Sequence, residues 1–278
     1  TLSGAIDDGV NSYSVTKNGA GTLALSGTNT YDGATNIDAG TLSAANSSAL
    51  GAVTTGVNGT IIASGATLNI NDVAIGAEGV SLNGGTITGT GLNAALAGDI
   101  ALGGDSFLAS SGVTPNTDAL TLSGAISGSY NITQNGVLLS YLSGDNIGYT
   151  GITTINGGTL SAQHINALGS TAGGTIVNSG AYLYINDVAI GNEAVALNNG
   201  AVVGTGLGAS LDGTVTLSGT SYISSSGIFA INGQVTGTGS LNKADAGTVV
   251  LNNATNNYSG VTNITNGTIQ AGAINAVA

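Results

Sequence analysis

The chain has 278 residues, with 48 Gly, one Pro, no Cys, Met or Trp, and a formal net charge of −12. Lys17 and Lys243 are its only Lys or Arg residues, beside a single His164. That balance opposes binding to nucleic acid or to anionic membrane surfaces, both of which need clustered basic side chains. Disulfide and thiol chemistry are excluded, no run of about 18 apolar residues could span a bilayer, and the usual solvent-face helix formers are nearly missing.

The first segment, 1–51, holds "TLALS" (22–26) and "TLSA" (41–44), short alternations of apolar and polar residues that predict half-buried strands. Gly and Asn-Gly punctuate these alternations, as at Asn18-Gly19 before the first, supplying the positive φ of a tight turn. The second segment, 52–120, has the same texture in "TLNIN" (67–71), "VSLNG" (80–84) and "IAL" (100–102), and contains "INDVAIG" at 70–76. In 121–169 the first type returns as "NGVLLSYLSGDNIGYTGITTINGGTLSA" (135–162). In 170–230 the second type returns: 59–102 aligns with 174–217 without a gap, and "INDVAIG" recurs at 185–191. The last segment, 231–278, repeats the first type again in "DAGTVVLNNATNNYSGVTNITNGTIQA" (245–271). The chain starts and stops inside this first type, as a window on a longer array would.

Short strands at this spacing fit a meander of hairpins or a coil in which each strand pairs with its copy one turn later. Asn-Gly favours hairpins. Small aliphatic residues, only 4% aromatics and recurring Thr, Ser and Asn favour a β-solenoid, whose side chains stack in ladders along the axis. One turn per roughly 20–25 residues at a strand spacing of about 4.8 Å gives a rod of about 60 Å.

The stretch "GAGTLALSGTNTYDGATNIDAGTLSAANSSALG" (19–51) resembles the passenger-associated repeat of bacterial autotransporters, through Gly19, Gly21, Leu23, Leu25, Gly27, Asn29, Tyr31, Gly33, Thr35, Ile37, Gly40 and Leu42. The resemblance implies an all-β, right-handed parallel β-helix, extracellular and associated with a bacterial surface or outer membrane, exported by a separate membrane barrel. It implies a non-enzymatic stalk or adhesin whose partner is a surface protein or glycan of a host or neighbouring cell. A head-to-tail filament subunit, self-associating end to end through unpaired strand edges, is the alternative.

Catalytic chemistry lacks its parts. A Ser-His-Asp triad has His164 as its one imidazole, yet the first unit carries Asn46 at that position. "GGDSF" (103–107) resembles the Gly-Asp-Ser-Gly of serine proteases, but Phe107 follows Ser106 where Gly should stand. No catalytic residue and no cofactor is expected. The repeated pairs Asp72 with Glu78 and Asp187 with Glu193 are weak calcium candidates, because calcium prefers clustered oxygens. They read first as a turn Asp accepting backbone N–H groups and a solvated Glu beyond a "VAIG" strand, so that the heptapeptide enters, makes and leaves one strand. Tyr182 and Tyr184 replace Thr67 and Asn69 of the earlier copy, placing two aromatics on one outer face as candidate partner-binding residues. Tyr31, Tyr149 and Tyr258 recur at one place in the three first-type units and read as structural.

Overall fold

The computed structural model describes residues 1–52, 59–110, 119–137, 139–274 and 276–277. The chain forms the β-solenoid read from its sequence: parallel strands stacked in about 12 turns, with no helix among the described residues. Every pairing between the described strands is parallel, so the Asn-Gly turns serve corners of a coil and not hairpins. Coil length runs from 19 residues, where Tyr182 pairs with Ala201, to 26, where Thr41 pairs with Thr67.

The coil has three faces. One carries an eleven-stranded sheet from Thr22–Leu25 to Val235–Gly237, and the next a ten-stranded sheet from Ala74–Ile75 to Thr262–Ile264. The third carries a six-stranded sheet in the first half and a five-stranded sheet in the second. Between them the chain crosses this face without regular strands, held by the bridge from Gly128 to Tyr149 and by Ser170 N–H donating to the Tyr149 carbonyl at 2.8 Å.

Alternation along each strand sends one residue in two to the axis, and the parallel register stacks like on like. Ile37, Ile62, Leu82 and Leu102 form one interior column, and Leu42, Leu68, Ile87 and Leu108 another, all buried. Where a bulky residue intrudes, its neighbour one coil away shrinks. The Phe229 ring fills the space above Gly204, where a Cβ would meet it at 2.3 Å.

The repeat and the coil are out of step. Thr35–Ile37 lies in the six-stranded sheet, its equivalent Thr153–Ile155 in the eleven-stranded sheet, and the third copy, Thr262–Ile264, in the ten-stranded sheet. Each repeat is therefore one face longer than a whole number of coils. Equivalent side chains of successive repeats point to successive faces of the rod.

Candidate interaction surface

The heptapeptide "INDVAIG" does not make one strand, as the sequence suggested. It turns a corner: Thr67–Asn71 ends, Asp72 takes φ 55°, and Ala74–Ile75 begins on the next face. The second copy turns at Asp187 with φ 54°. A short carboxylate tolerates this left-handed conformation and caps the neighbouring coil. Asp72 Oδ1 accepts from Asn93 N–H at 3.1 Å and from Asn93 Nδ2 at 3.0 Å. Asp187 Oδ1 accepts from the N–H groups of Leu207 at 3.0 Å and Gly208 at 2.7 Å.

The paired glutamates are not solvated, which corrects the sequence reading. Glu78 and Glu193 are 2% and 3% exposed, because the chain beyond "VAIG" folds inward. The hydroxyls of Thr60 and Thr175 donate to their Oε1 atoms at 2.8 Å each. In both copies Asp is thus tied to the coil ahead and Glu to the coil behind, so the two carboxylates serve different contacts. Burial pushes Glu193 up to about 7, partly offset by the Thr175 bond, and its Oε2 has no hydrogen-bond partner. Among the described residues no group of three or more His, Cys, Asp or Glu side chains gathers to hold a metal ion.

Ser106 is buried, and its hydroxyl hydrogen-bonds the carbonyls of Gly104 at 2.7 Å and Leu82 at 3.3 Å. His164 Nδ1 accepts from Asn166 N–H at 3.2 Å, the bond that Asn46 Oδ1 makes to Ser48 N–H at 2.9 Å in the first unit. Both residues serve local turns. Tyr31 and Tyr258 are buried and share a hydrogen bond with the Thr four residues on, at 2.6 Å to Thr35 and 2.7 Å to Thr262. Tyr149 receives the Thr153 hydroxyl at 3.4 Å. Lys17 is also interior: its ammonium donates to the carbonyls of Gly19, Ala39 and Asn18 at 2.7, 2.8 and 3.1 Å. Lys243, fully buried, caps the carbonyls of Asp245 and Asn266. No Lys or Arg side chain is exposed.

On the ten-stranded sheet the outer face carries an aromatic patch. Tyr182 and Tyr184 project outward from Tyr182–Asn186, with ring centroids 6.3 Å apart and planes at 89°. Tyr222 stands in the same register column as Tyr182, with Ala201 between them. Tyr141 shares a column with Tyr184, separated by Ser161. The outward-facing Ala201, Val203, Ser161 and Ser224 are only 3–5% exposed, while Tyr182 and Tyr222 are 44% and 39% exposed. The rings therefore shelter a floor of small residues. Tyr182, Ala201, Val203, Tyr222, Ser224, Ala244 and Asp245 line a cavity of about 290 Å³, near the lower end of small-molecule sites. The Tyr184 hydroxyl is pushed up, first by burial and then by the Asp245 carboxylate.

Sequence reasoning singled out Tyr182 and Tyr184 but missed Tyr222 and Asp245. Their distances along the chain, 40 and 63 residues from Tyr182, reveal proximity only once the length of each intervening coil is known.

The fold and its repeats define a class, the β-solenoid with autotransporter passenger repeats. The Passenger-associated-transport-repeat family matches residues 15–44, 141–162 and 241–271. Over 267 residues, 94% of this chain, the sequence is 38% identical to the Adhesin BmaC autotransporter of Brucella suis biovar 1 (strain 1330). The chain spans 7% of that relative's length. No solved structure matches it. The resemblance to autotransporter passengers is thus borne out, and with it an extracellular location at the cell surface.

Proposed function

We propose that the chain is a non-enzymatic, adhesin-type segment of a surface passenger, and that its contact surface is the tyrosine patch around Tyr182 and Tyr222. The observation that carries this reading is the patch itself. Four tyrosines gather in two neighbouring register columns of one sheet, over a floor of small residues. Aromatic side chains give large contact area at low entropic cost and dominate binding energies at interfaces. The relative's name, an adhesin, supports the same reading. The matches lend nothing to the filament alternative.

The test is retention of beads coated with the purified chain on cell monolayers. Wild-type beads are expected to be retained in a saturable way that free chain competes away, and beads carrying Tyr182→Ser/Tyr222→Ser are expected to wash off. Equal retention of the two would remove the patch from the function.

A further inference from the structure

The cavity at the patch has a chemistry more particular than apolar contact. Tyr182 and Tyr222 are rooted two strands apart, about 10 Å along the rod, with Ala201 between them, and both line the cavity. Tyr184 stands edge-on to Tyr182. At the rim Asp245 offers an exposed carboxylate. Ser224, the polar residue on the floor, is 3% exposed and accepts from Ala244 N–H at 3.2 Å.

The polar groups open to a ligand are thus one anion and the tyrosine hydroxyls at the rim, with the Ser224 hydroxyl as a single donor on the floor. An anionic ligand would meet the Asp245 carboxylate, the negative faces of the rings and a chain of net charge −12, with no exposed Lys or Arg to pair with. A sugar would find rings to stack on, but few of the directional partners that its many hydroxyls require. A cation finds both things it needs: π faces, which attract positive charge, and a counter-carboxylate beside them. Among cations the guanidinium is planar, stacks on aromatic faces and hydrogen-bonds a carboxylate through its fork.

We propose that the slot between Tyr182 and Tyr222 receives an arginine side chain from a basic segment of a partner protein, its guanidinium stacked on the rings and paired with Asp245. This rests on the reading of the patch as the adhesive surface and names the chemistry of its partner. The anionic rod draws the basic segment in, and the tyrosine slot fixes where it lands.

The test is a calorimetric titration of the whole 278-residue chain with a capped Gly-Ser-Arg-Ser-Gly peptide and with its citrulline counterpart, which has the same shape and no charge. The arginine peptide is expected to bind saturably, and citrulline to weaken binding by at least about tenfold. Tyr182→Ser/Tyr222→Ser is expected to abolish it without altering net charge. Asp245→Asn is expected to weaken it several-fold while leaving the backbone carbonyl that caps Lys243. Equal binding of arginine and citrulline overturns the proposal. So does undiminished binding to the double variant, which would mean diffuse attraction to an acidic surface. Binding of a neutral hexasaccharide at the tyrosines in place of the peptide overturns it too, as does absence of peptide binding by a chain that still adheres through its tyrosines; both outcomes leave the adhesive reading intact. If the double variant adheres like wild type, the adhesive reading itself falls.

Discussion

Glu193 shows what one buried side chain can do to the pH response of this rod. Burial holds its folded-state pKa at about 7, above the ordinary 4.5, so the folded state binds its proton more tightly than the unfolded chain does. Its contribution to stability is full below about 4.5 and is lost as pH rises through 7. Chemical unfolding of wild type and Glu193→Gln from pH 4.5 to 8 should expose this. Wild type is expected to lose of order 3 kcal/mol relative to the variant, which keeps an acceptor for Thr175 and carries no charge. Parallel pH curves would place the ionised carboxylate in contact with water. Lys17 is the opposite case, a charge whose interior bonds are complete. Lys17→Met leaves the carbonyls of Asn18, Gly19 and Ala39 without their donor and is expected to cost about 2 kcal/mol in denaturant titration. Its conspicuous residue type drew attention in the sequence only as an exclusion. Nothing in "VTKNGAG" reveals that the ammonium folds back to cap a corner. Likewise Glu78 and Glu193 read as solvated because residue type, and not corner geometry, is what a sequence displays.

At the scale of strands and corners, glycine sets the limits. A Cβ on Gly124 would lie 2.0 Å from the Gly98 carbonyl oxygen one coil below, and one on Gly144 would lie 2.1 Å from the Gly124 oxygen. The backbone of each corner rests on the next, and Gly124→Ala must push two coils apart. It is expected to lower stability by at least about 2 kcal/mol, measured by thermal unfolding, whereas Gly21→Ala, with open space around it, is expected to be close to neutral. The strands themselves were legible: "TLALS", "TLNIN" and "VSLNG" alternate with period 2, and each forms a strand over most of its length. The Tyr-x-Gly-x-Thr signature was legible as structural, and its chemistry is a hydroxyl pair four residues apart. The patch was half legible. Tyr182 and Tyr184 share a strand, so period 2 alone puts them on one side. Tyr222 and Asp245 join them through register, and coil lengths that vary from 19 to 26 residues hide register from inspection.

At the scale of the molecule, the mismatch between repeat and coil decides what the rod displays. Because each repeat advances one face, Thr67 and Asn69 lie on a different face from their replacements Tyr182 and Tyr184. A repeat array of this kind presents its variable positions in turn around the axis, and one substituted unit makes one sided patch. The two lysines being interior, the folded chain is also expected to resist trypsin, which cuts after Lys and Arg, until it unfolds. The claim that most needs testing is that adhesion belongs to one face. The measurement is attachment to cells of four purified proteins with matched circular dichroism: wild type, Tyr182→Ser/Tyr222→Ser on the ten-stranded sheet, Phe107→Ser on the eleven-stranded sheet, and Ile228→Ser on the five-stranded sheet, each replacing exposed apolar side chains. Loss of attachment in the tyrosine variant alone is the expected result. Equal loss in all three variants, or loss in either of the others with the tyrosine variant unaffected, would contradict it.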